Sequence, residues 1–574
     1  MKTLNTLKNN ILRSIAVLTV LFSLNSCETL ELEILESPNA LTPASSDIDF
    51  YLNAMQLNMA SFFNGVKDEG MQLTRMSHLY GPFYENAYST TQMSGPWNDA
   101  YSDIFTDYNN MVPRAAEKGW ETHIGIAKFI KAYAMITLVD YLGDVPYSQA
   151  ALGVDNLNPG VDSGASIYDA ALALILEAKQ HFATPAQSPT NDLFYGGNRA
   201  SWSKATGTLE LKLRLQRRNA ADSNDAGAIN ALISGAADNL ITSSSADFQF
   251  KYGTLNASPD SRHPAFVSNY ELAADVNDYM SNAYLAEFVA QKDVVDVRAN
   301  YYFYRQDDDV TDNDDNEIPC GNERRPSHYA LSDIFCYIGY NDVTPSESTS
   351  NGYWGRDHGD NDGIPPDGGL RTAWGLYPIG GQFDDGSFTS TSGQDMGLKG
   401  AGIQPILLSS YTHFMIAEWS LANGDTETAR QFLASGLAES FSKVTGFAAE
   451  MGNAGAVEFR SGASIDETAF LGSLTDNINA YIDYVAGTGA TSLWNTTDDK
   501  MGLLVQEYFL ALWGNGVEAF NTFRRTDKPT DLQPLLKTAN NDMIQSFFYP
   551  RTEVDNNNQL TQKGDHLVKV FWDN

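Results

Sequence analysis

Between residues 351 and 378 the chain reads NGYWGRDHGDNDGIPPDGGLRTAWGLYP, where aromatic rings alternate with carboxylates, glycines and prolines. Tyr353, Trp354, Trp374 and Tyr377 lie in this stretch, and Tyr84, Tyr88 and Trp97 lie in GPFYENAYSTTQMSGPWNDAY. Exposed rings beside Asp, Asn or Arg suit sugar recognition, because a ring covers the apolar face of a pyranose while polar neighbours bind its hydroxyls. These residues are the candidate ligand contacts. The competing role for each is core packing. Trp97 suits that role well, since it precedes the apolar stripe Tyr101, Ile104 and Phe105.

The carboxylates of the same stretch pose a metal question. Asp357, Asp360 and Asp362 are candidate calcium ligands, because calcium asks only for roughly six to eight oxygens. Asp360, Asp362 and Gly363 fall in the phase of an EF-hand loop, but His358 stands at its first position and Gly369 at its last, where a bidentate Glu belongs. A solvated acidic turn is the alternative, and no other cofactor is expected. Catalytic signatures are missing: there is no HExxH, no GxSxG, no phosphate-binding Walker loop and no zinc-spaced cysteine–histidine cluster. Gly487 and Gly489 form a GxG with no helix signal behind it. With 72 acidic residues any two could be nominated as a glycosidase pair, so that pattern carries no signal. The chemistry on offer is binding, not turnover.

Cys27 has a different chemistry. Lys2, Lys8 and Arg13 make a basic start, Ser14 to Leu24 is a short apolar run, and Leu24-Asn25-Ser26-Cys27 closes it. This is the form of an export signal, residues 1–26, ending in a lipobox whose cysteine is acylated and becomes the new N-terminus. Each buried methylene of an acyl chain contributes ~0.8 kcal/mol, so several chains moor a folded body to a membrane. An ordinary signal peptide with a coincidental cysteine is the alternative. Residues 27–47, acidic and then rich in Ser, Pro and Asn, read as a tether. Cys320 and Cys336 remain, and in an oxidising compartment they pair as one disulfide or persist as two buried thiols.

The elements that must hold the rings are helical. SIYDAALALILEAKQHF places Ile167, Ala171, Leu174, Ile175, Ala178 and Phe182 on one stripe. GIAKFIKAYAMITLVDYLGDVPY is apolar nearly all round, which predicts a helix packed on several sides and stopped at Gly143 before Pro146. In ILLSSYTHFMIAEWSLANGDTETARQFLASGLAESF two helices flank Asn423-Gly424-Asp425, with Gly424 as stop and Asp425 as N-cap. LLVQEYFLALWGNG followed by VEAFNTFRRTDKP repeats the arrangement. The spacing predicts an all-α scaffold of tetratricopeptide-like helix pairs over 48–574, interrupted by a loop-rich insertion at about 300–400. No segment after the leader is expected to be long and apolar enough to span a membrane. The 574 residues exceed the usual size of one core, and the formal charge of −35 argues against nucleic acid and against anionic lipid surfaces.

Six stretches in order resemble one family. After Cys27 and LESPNALTP come WNDAYSDIFTDYNNM, AKFIKAYAMITLVDYLGDVPYSQA with SIYDAALALILEAKQHF, and DLFYGGNRASWSKATGTLELKLRLQRR. EYFLALWGNGVEAFNTFRRTD and FFYPRTEVDNNNQL follow, and GRDHGDNDGIPPDGGLRTAWGLYPIGGQFD is similar to a hallmark of the nutrient-binding branch. The chain resembles the SusD/RagB outer-membrane lipoproteins. The resemblance implies a non-catalytic, lipid-anchored receptor on the cell exterior, lying as a hinged lid over a SusC-like TonB-dependent transporter. The cargo it implies is an oligosaccharide, or a peptide in RagB-like members. An anchored helical glycan-cleaving enzyme is the rival reading.

Overall fold

A computed structural model describes residues 47–221, 223–271, 278–289, 292–306, 325–330, 333–334, 352–353, 355–361, 371–453, 472–539 and 542–573. Cys27, Cys320, Cys336, Trp354 and Asp362 lie outside the described residues.

The first long helix, α1 (Ile48–Leu73), is followed by α2 (Thr106–Glu117), α3 (Glu121–Leu142), α4 (Gly164–Ala183) and α5 (Arg199–Gln216). After α6 (Asn282–Val289) come α7 (Ser409–Ala422), α8 (Thr426–Glu450), α9 (Leu474–Ala486), α10 (Lys500–Ala511) and α11 (Gly516–Thr526). Consecutive helices pack as pairs: α2 on α3, α3 on α4, α4 on α5, α7 on α8 and α8 on α9. The strands are short accessories. β1 (Val145–Pro146) pairs with β2 (Val161–Asp162), β3 (Phe248–Lys251) with β6 (Ile403–Leu407), and β4 (Phe303–Tyr304) with β5 (Ala373–Trp374), all antiparallel.

Local signals act as read. Gly143 ends α3 with φ +74, a conformation that costs a side-chain-bearing residue. Asp425 caps α8 by accepting the Thr428 backbone N–H at 3.0 Å, and Gly424 before it has φ +82. The stripe of α4 is buried at Ile167, Ala171, Ile175, Ala178 and Phe182. One expectation needs correcting: α3 is long and apolar enough to cross a membrane, but 89% of its apolar window is buried inside the protein. Its apolar surface is spent on packing against α2, α4 and α1.

Two apolar cores result. One gathers α1 to α5 with residues 543–572, and the other gathers α6 to α10 around Trp513, which lies 4.2 Å from Trp374 and 5.4 Å from Tyr284. Where α1 meets α11 the backbones almost touch: a Cβ added at Gly70 would stand 2.1 Å from the carbonyl oxygen of Gly516. Among the described residues between 303 and 402 there is no helix. That loop-rich region and the chain leaving α1 make the face described next.

Candidate ligand-binding face

The chain leaves α1 through a tight turn. Thr74 Oγ1 donates to the Gly70 carbonyl at 2.7 Å, and Arg75 takes φ +64, which is strained for a residue with a Cβ. Arg75 is held there by its own contacts: Nε donates to the Gln533 carbonyl at 2.9 Å and Nη2 to Tyr84 Oη at 3.2 Å. Tyr84 Oη also meets His358 Nε2 at 3.1 Å, so the turn, the 84 helix and the central loop are tied at one point. Within residues 77–83 Tyr80 and Phe83 are exposed, while His78, Leu79 and Gly81 are buried.

Beside this turn lies a cavity of about 320 Å³. Asn64, Lys67 and Asp68 of α1 form one wall, and His78, Tyr80, Tyr279 and Trp374 supply rings. His78 stands edge-on to Tyr80 at 6.0 Å and to Tyr279 at 6.1 Å. Tyr279 is fixed by cations: the guanidinium of Arg371 lies 4.0 Å and that of Arg356 4.5 Å from its ring centroid. Burial, then the Arg356 charge, push the His78 pKa down to about 3, so its imidazole is neutral. Lys67 Nζ donates to Asp68 Oδ1 at 2.6 Å. Asp278 accepts from Asn269 Nδ2 at 2.8 Å, and burial followed by the Asp68 charge raise its pKa.

Several polar atoms in this wall, the His78 ring nitrogens included, have no hydrogen-bond partner among the described residues. Trp374 Nε1 and Asn64 Oδ1 are buried and have no hydrogen-bond partner among the described residues. A buried donor or acceptor left unpaired costs about 1–3 kcal/mol, and buried polar groups in proteins are nearly always paired. Trp374 and Asn64 both line the ring-walled cavity, but these two atoms are themselves closed off, so a ligand there meets the rings and the accessible polar side chains of the wall.

The structure revises the sequence-predicted ring set. Tyr84, Tyr88, Trp97, Tyr353, Trp374 and Tyr377 are all buried, so their faces are not open platforms. Trp97 stacks on Tyr101 at 4.4 Å as a core anchor, and Tyr88 packs edge-on to Phe547 at 5.2 Å. Tyr377 meets Tyr302 at 5.7 Å and Phe447 at 5.2 Å, and Tyr353 lies under the Arg305 guanidinium at 4.9 Å. The reason is area: a large ring gains most where it is wholly removed from water. Of the six, Trp374 lines the cavity and Tyr84 a smaller cleft of about 180 Å³.

The open rings are their neighbours, Tyr80 at 63% exposure and Phe83 at 45%. Tyr80 borders the larger cavity and Phe83 the smaller. Sequence reasoning passed over both, although Gly81-Pro82 between them is the punctuation that marks a turn. Asn64 had no signal, being one polar residue among many on a helix.

The proposed calcium ligands are otherwise engaged. Asp357 Oδ1 accepts from Gln533 Nε2 at 2.8 Å and Asn282 Nδ2 at 3.2 Å, and Asp360 Oδ2 lies 3.4 Å from Arg356 Nη1. Among the described residues no three His, Cys, Asp or Glu side chains gather as a metal site.

Comparison with known proteins adds a family. Residues 38–322, which include Asn64, Tyr80 and Tyr279, match the model of a SusD-like family described as starch-binding and associating with the outer membrane. The chain belongs to the SusD/RagB family. Solved SusD/RagB structures share its fold. A family member from Bacteroides thetaiotaomicron is 17% identical with a TM-score of 0.61, covering 92% of this chain and 99% of its own. A SusD homologue from Bacteroides fragilis is 16% identical with a TM-score of 0.60, covering 89% and 94%. A SusD homologue from Flavobacterium johnsoniae, described as chitin-binding, is 14% identical with a TM-score of 0.58, covering 92% and 98%. No curated protein matches the chain. As a SusD/RagB member it is an outer-membrane-associated nutrient-binding protein, and its helix-pair scaffold is the family's.

Proposed function

We propose that the protein captures glycan oligomers at the Tyr80 face and hands them to a SusC-like TonB-dependent transporter, without cleaving them. One observation carries the reading: a cavity of about 320 Å³ is walled by the rings of His78, Tyr80, Tyr279 and Trp374 beside the polar side chains of Asn64, Lys67 and Asp68. A sugar offers both a hydroxyl donor and acceptor, and an apolar face for the exposed Tyr80 ring. The chitin-binding description of the Flavobacterium johnsoniae relative supports a glycan over a peptide. In this reading acylated Cys27 moors the protein, and the tether of residues 27–47 gives the lid its reach at the cell exterior.

Calorimetric titration with neutral α- and β-linked oligosaccharides tests capture. Tyr80→Ala should weaken binding by about 1–3 kcal/mol, as removal of a central ring contact does, with the melting temperature unchanged. Equal affinity in that variant moves the site elsewhere. Incubation with the bound glycan should release no new reducing ends. Pull-down from outer membranes should recover a barrel transporter, and mass spectrometry should find a diacyl or triacyl residue 27.

A further inference from the structure

The charges in the cavity wall select among glycans. Its ionisable groups, besides the neutral His78, are the ammonium of Lys67 and the carboxylates of Asp68 and Asp278. They are unequally placed. The Lys67 side chain is 3% exposed and is covered by its bond to Asp68, whose own side chain is 49% exposed. A sugar entering the cavity therefore meets a carboxylate, with the compensating ammonium behind it. Two buried guanidiniums lie against the Tyr279 ring, Arg356 at 4.5 Å and Arg371 at 4.0 Å, and their charges reach His78 and Asp278, but Asp68 is the half-exposed charge of the wall. The whole chain, with a formal charge of −35, adds a repulsive far field toward anions.

Building on the proposed glycan capture, we infer that this cavity ranks its ligands by charge: amine-bearing sugars first, neutral sugars next, and uronic or sulfated sugars last, with Asp68 as the determinant. The rings of the wall serve all three classes alike, since each class presents the same apolar pyranose face. Asp68 distinguishes them. Two unit charges about 4 Å apart in a water-filled cleft interact by roughly the equivalent of a fivefold change in affinity.

Three tetrasaccharides with one β-1,4 backbone, built of glucose, glucosamine or glucuronate, provide the test in calorimetric titrations slightly below neutral pH. At low salt the glucosamine tetramer should bind about fivefold more tightly than the glucose tetramer, and the glucuronate tetramer about fivefold more weakly. About 1 M salt should collapse the spread, because the screening length falls to roughly 3 Å. Asp68→Asn should remove most of the spread, read as the ratio of each charged tetramer's affinity to that of the neutral one in the same variant. Should that variant be poorly folded through the stranded Lys67, Asp278→Asn and the salt series on the native protein carry the test. Glucuronate binding equal to or tighter than glucose overturns the inference, as does a spread that survives both variants. Failure of all three tetramers also overturns it, whereas glycan capture itself is decided separately by the broader neutral panel and the Tyr80→Ala variant.

Discussion

Trp572 and Trp374 are both buried, at 1% and 3% exposure, yet one is finished and the other is not. Trp572 Nε1 donates to Asp140 Oδ1 at 3.0 Å, and Asp140 also accepts from Asn521 Nδ2 at 2.6 Å and from Tyr168 Oη. Trp374 Nε1 has no such partner among the described residues. The same contrast runs through the two regions. In the helical frame, Glu418 of α7 is bound by Arg525 through two bonds of 2.8 and 2.9 Å, and by Arg218 as well. At the face, Trp374 Nε1 and Asn64 Oδ1 lie unpaired in residues that wall a cavity. The charged networks of the frame are satisfied internally, although Thr122 Oγ1, Tyr411 Oη and Tyr508 Oη on its helices also lack partners among the described residues, whereas the unpaired atoms of the face belong to residues that border a cavity. A receptor needs both, because an unsatisfied site holds its shape only when the surrounding structure determines it.

The largest test of this contrast breaks the frame. Glu418→Gln takes the carboxylate away from buried Arg525 and half-buried Arg218 and should cost about 3–5 kcal/mol in denaturant unfolding. Burial alone would raise the Glu418 pKa, but Arg525 and Arg218 outweigh it and hold the carboxyl down at about 2. Its folded pKa is thus below the ordinary 4.5, so its stabilisation is present above that value and is lost as pH falls toward 2. The native protein should lose roughly 3 kcal/mol over that window through this residue, and the variant should show a flatter acid limb.

Glu69, on α1 near the face, is shifted the other way. Burial, then the Asp68 charge, push it up to about 7 against a single side-chain donor, Gln92 Nε2 at 2.7 Å, and its Oε2 has no hydrogen-bond partner among the described residues. A raised carboxyl favours the fold below 4.5 and loses that advantage as pH rises through 7. Glu69→Gln should therefore stabilise the protein by up to about 3 kcal/mol near pH 8 and by nothing near pH 4. Equal melting shifts at both pH values would remove the contrast between the two glutamates.

The finest comparison returns to the tryptophans. Replacement by Phe removes the N–H in each, together with similar ring area. Trp572→Phe should cost about 1.5–3 kcal/mol more than Trp374→Phe, the difference being one hydrogen bond to a charged acceptor. Trp374→Phe should instead weaken glycan binding, through the smaller ring in the cavity wall, by about 0.5–1.5 kcal/mol, read by titration, while Trp572→Phe leaves affinity unchanged.

Much of the frame was legible because its signals are local. The stripe from Ile167 to Phe182, the Gly424-Asp425 turn and the Gly143 stop each depend on residues within a turn or two of one another. The face was legible only as a neighbourhood. The rule that pairs rings with Gly and Pro pointed to residues 81–88 and named Tyr84 and Tyr88, which are buried, and passed over Tyr80 and Phe83, which are open. Neighbouring rings in one loop share composition and differ only in what the rest of the chain brings beside them. Tyr84 meets His358, Tyr88 meets Phe547, and no window of sequence contains either pair.

The sequence by itself determined the helices, their stops and caps, the acidic character of the chain and the family to which it belongs, since each is written in composition, order or spacing. Only the tertiary structure decided which aromatic rings face outward, that α3 is core and not a membrane span, and that Asn64 and Trp374, 310 positions apart (374 − 64), share one cavity. The physical reason is that exposure and hydrogen-bond satisfaction are properties of packed pairs from distant parts of the chain, and these pairs exist only once the chain has folded.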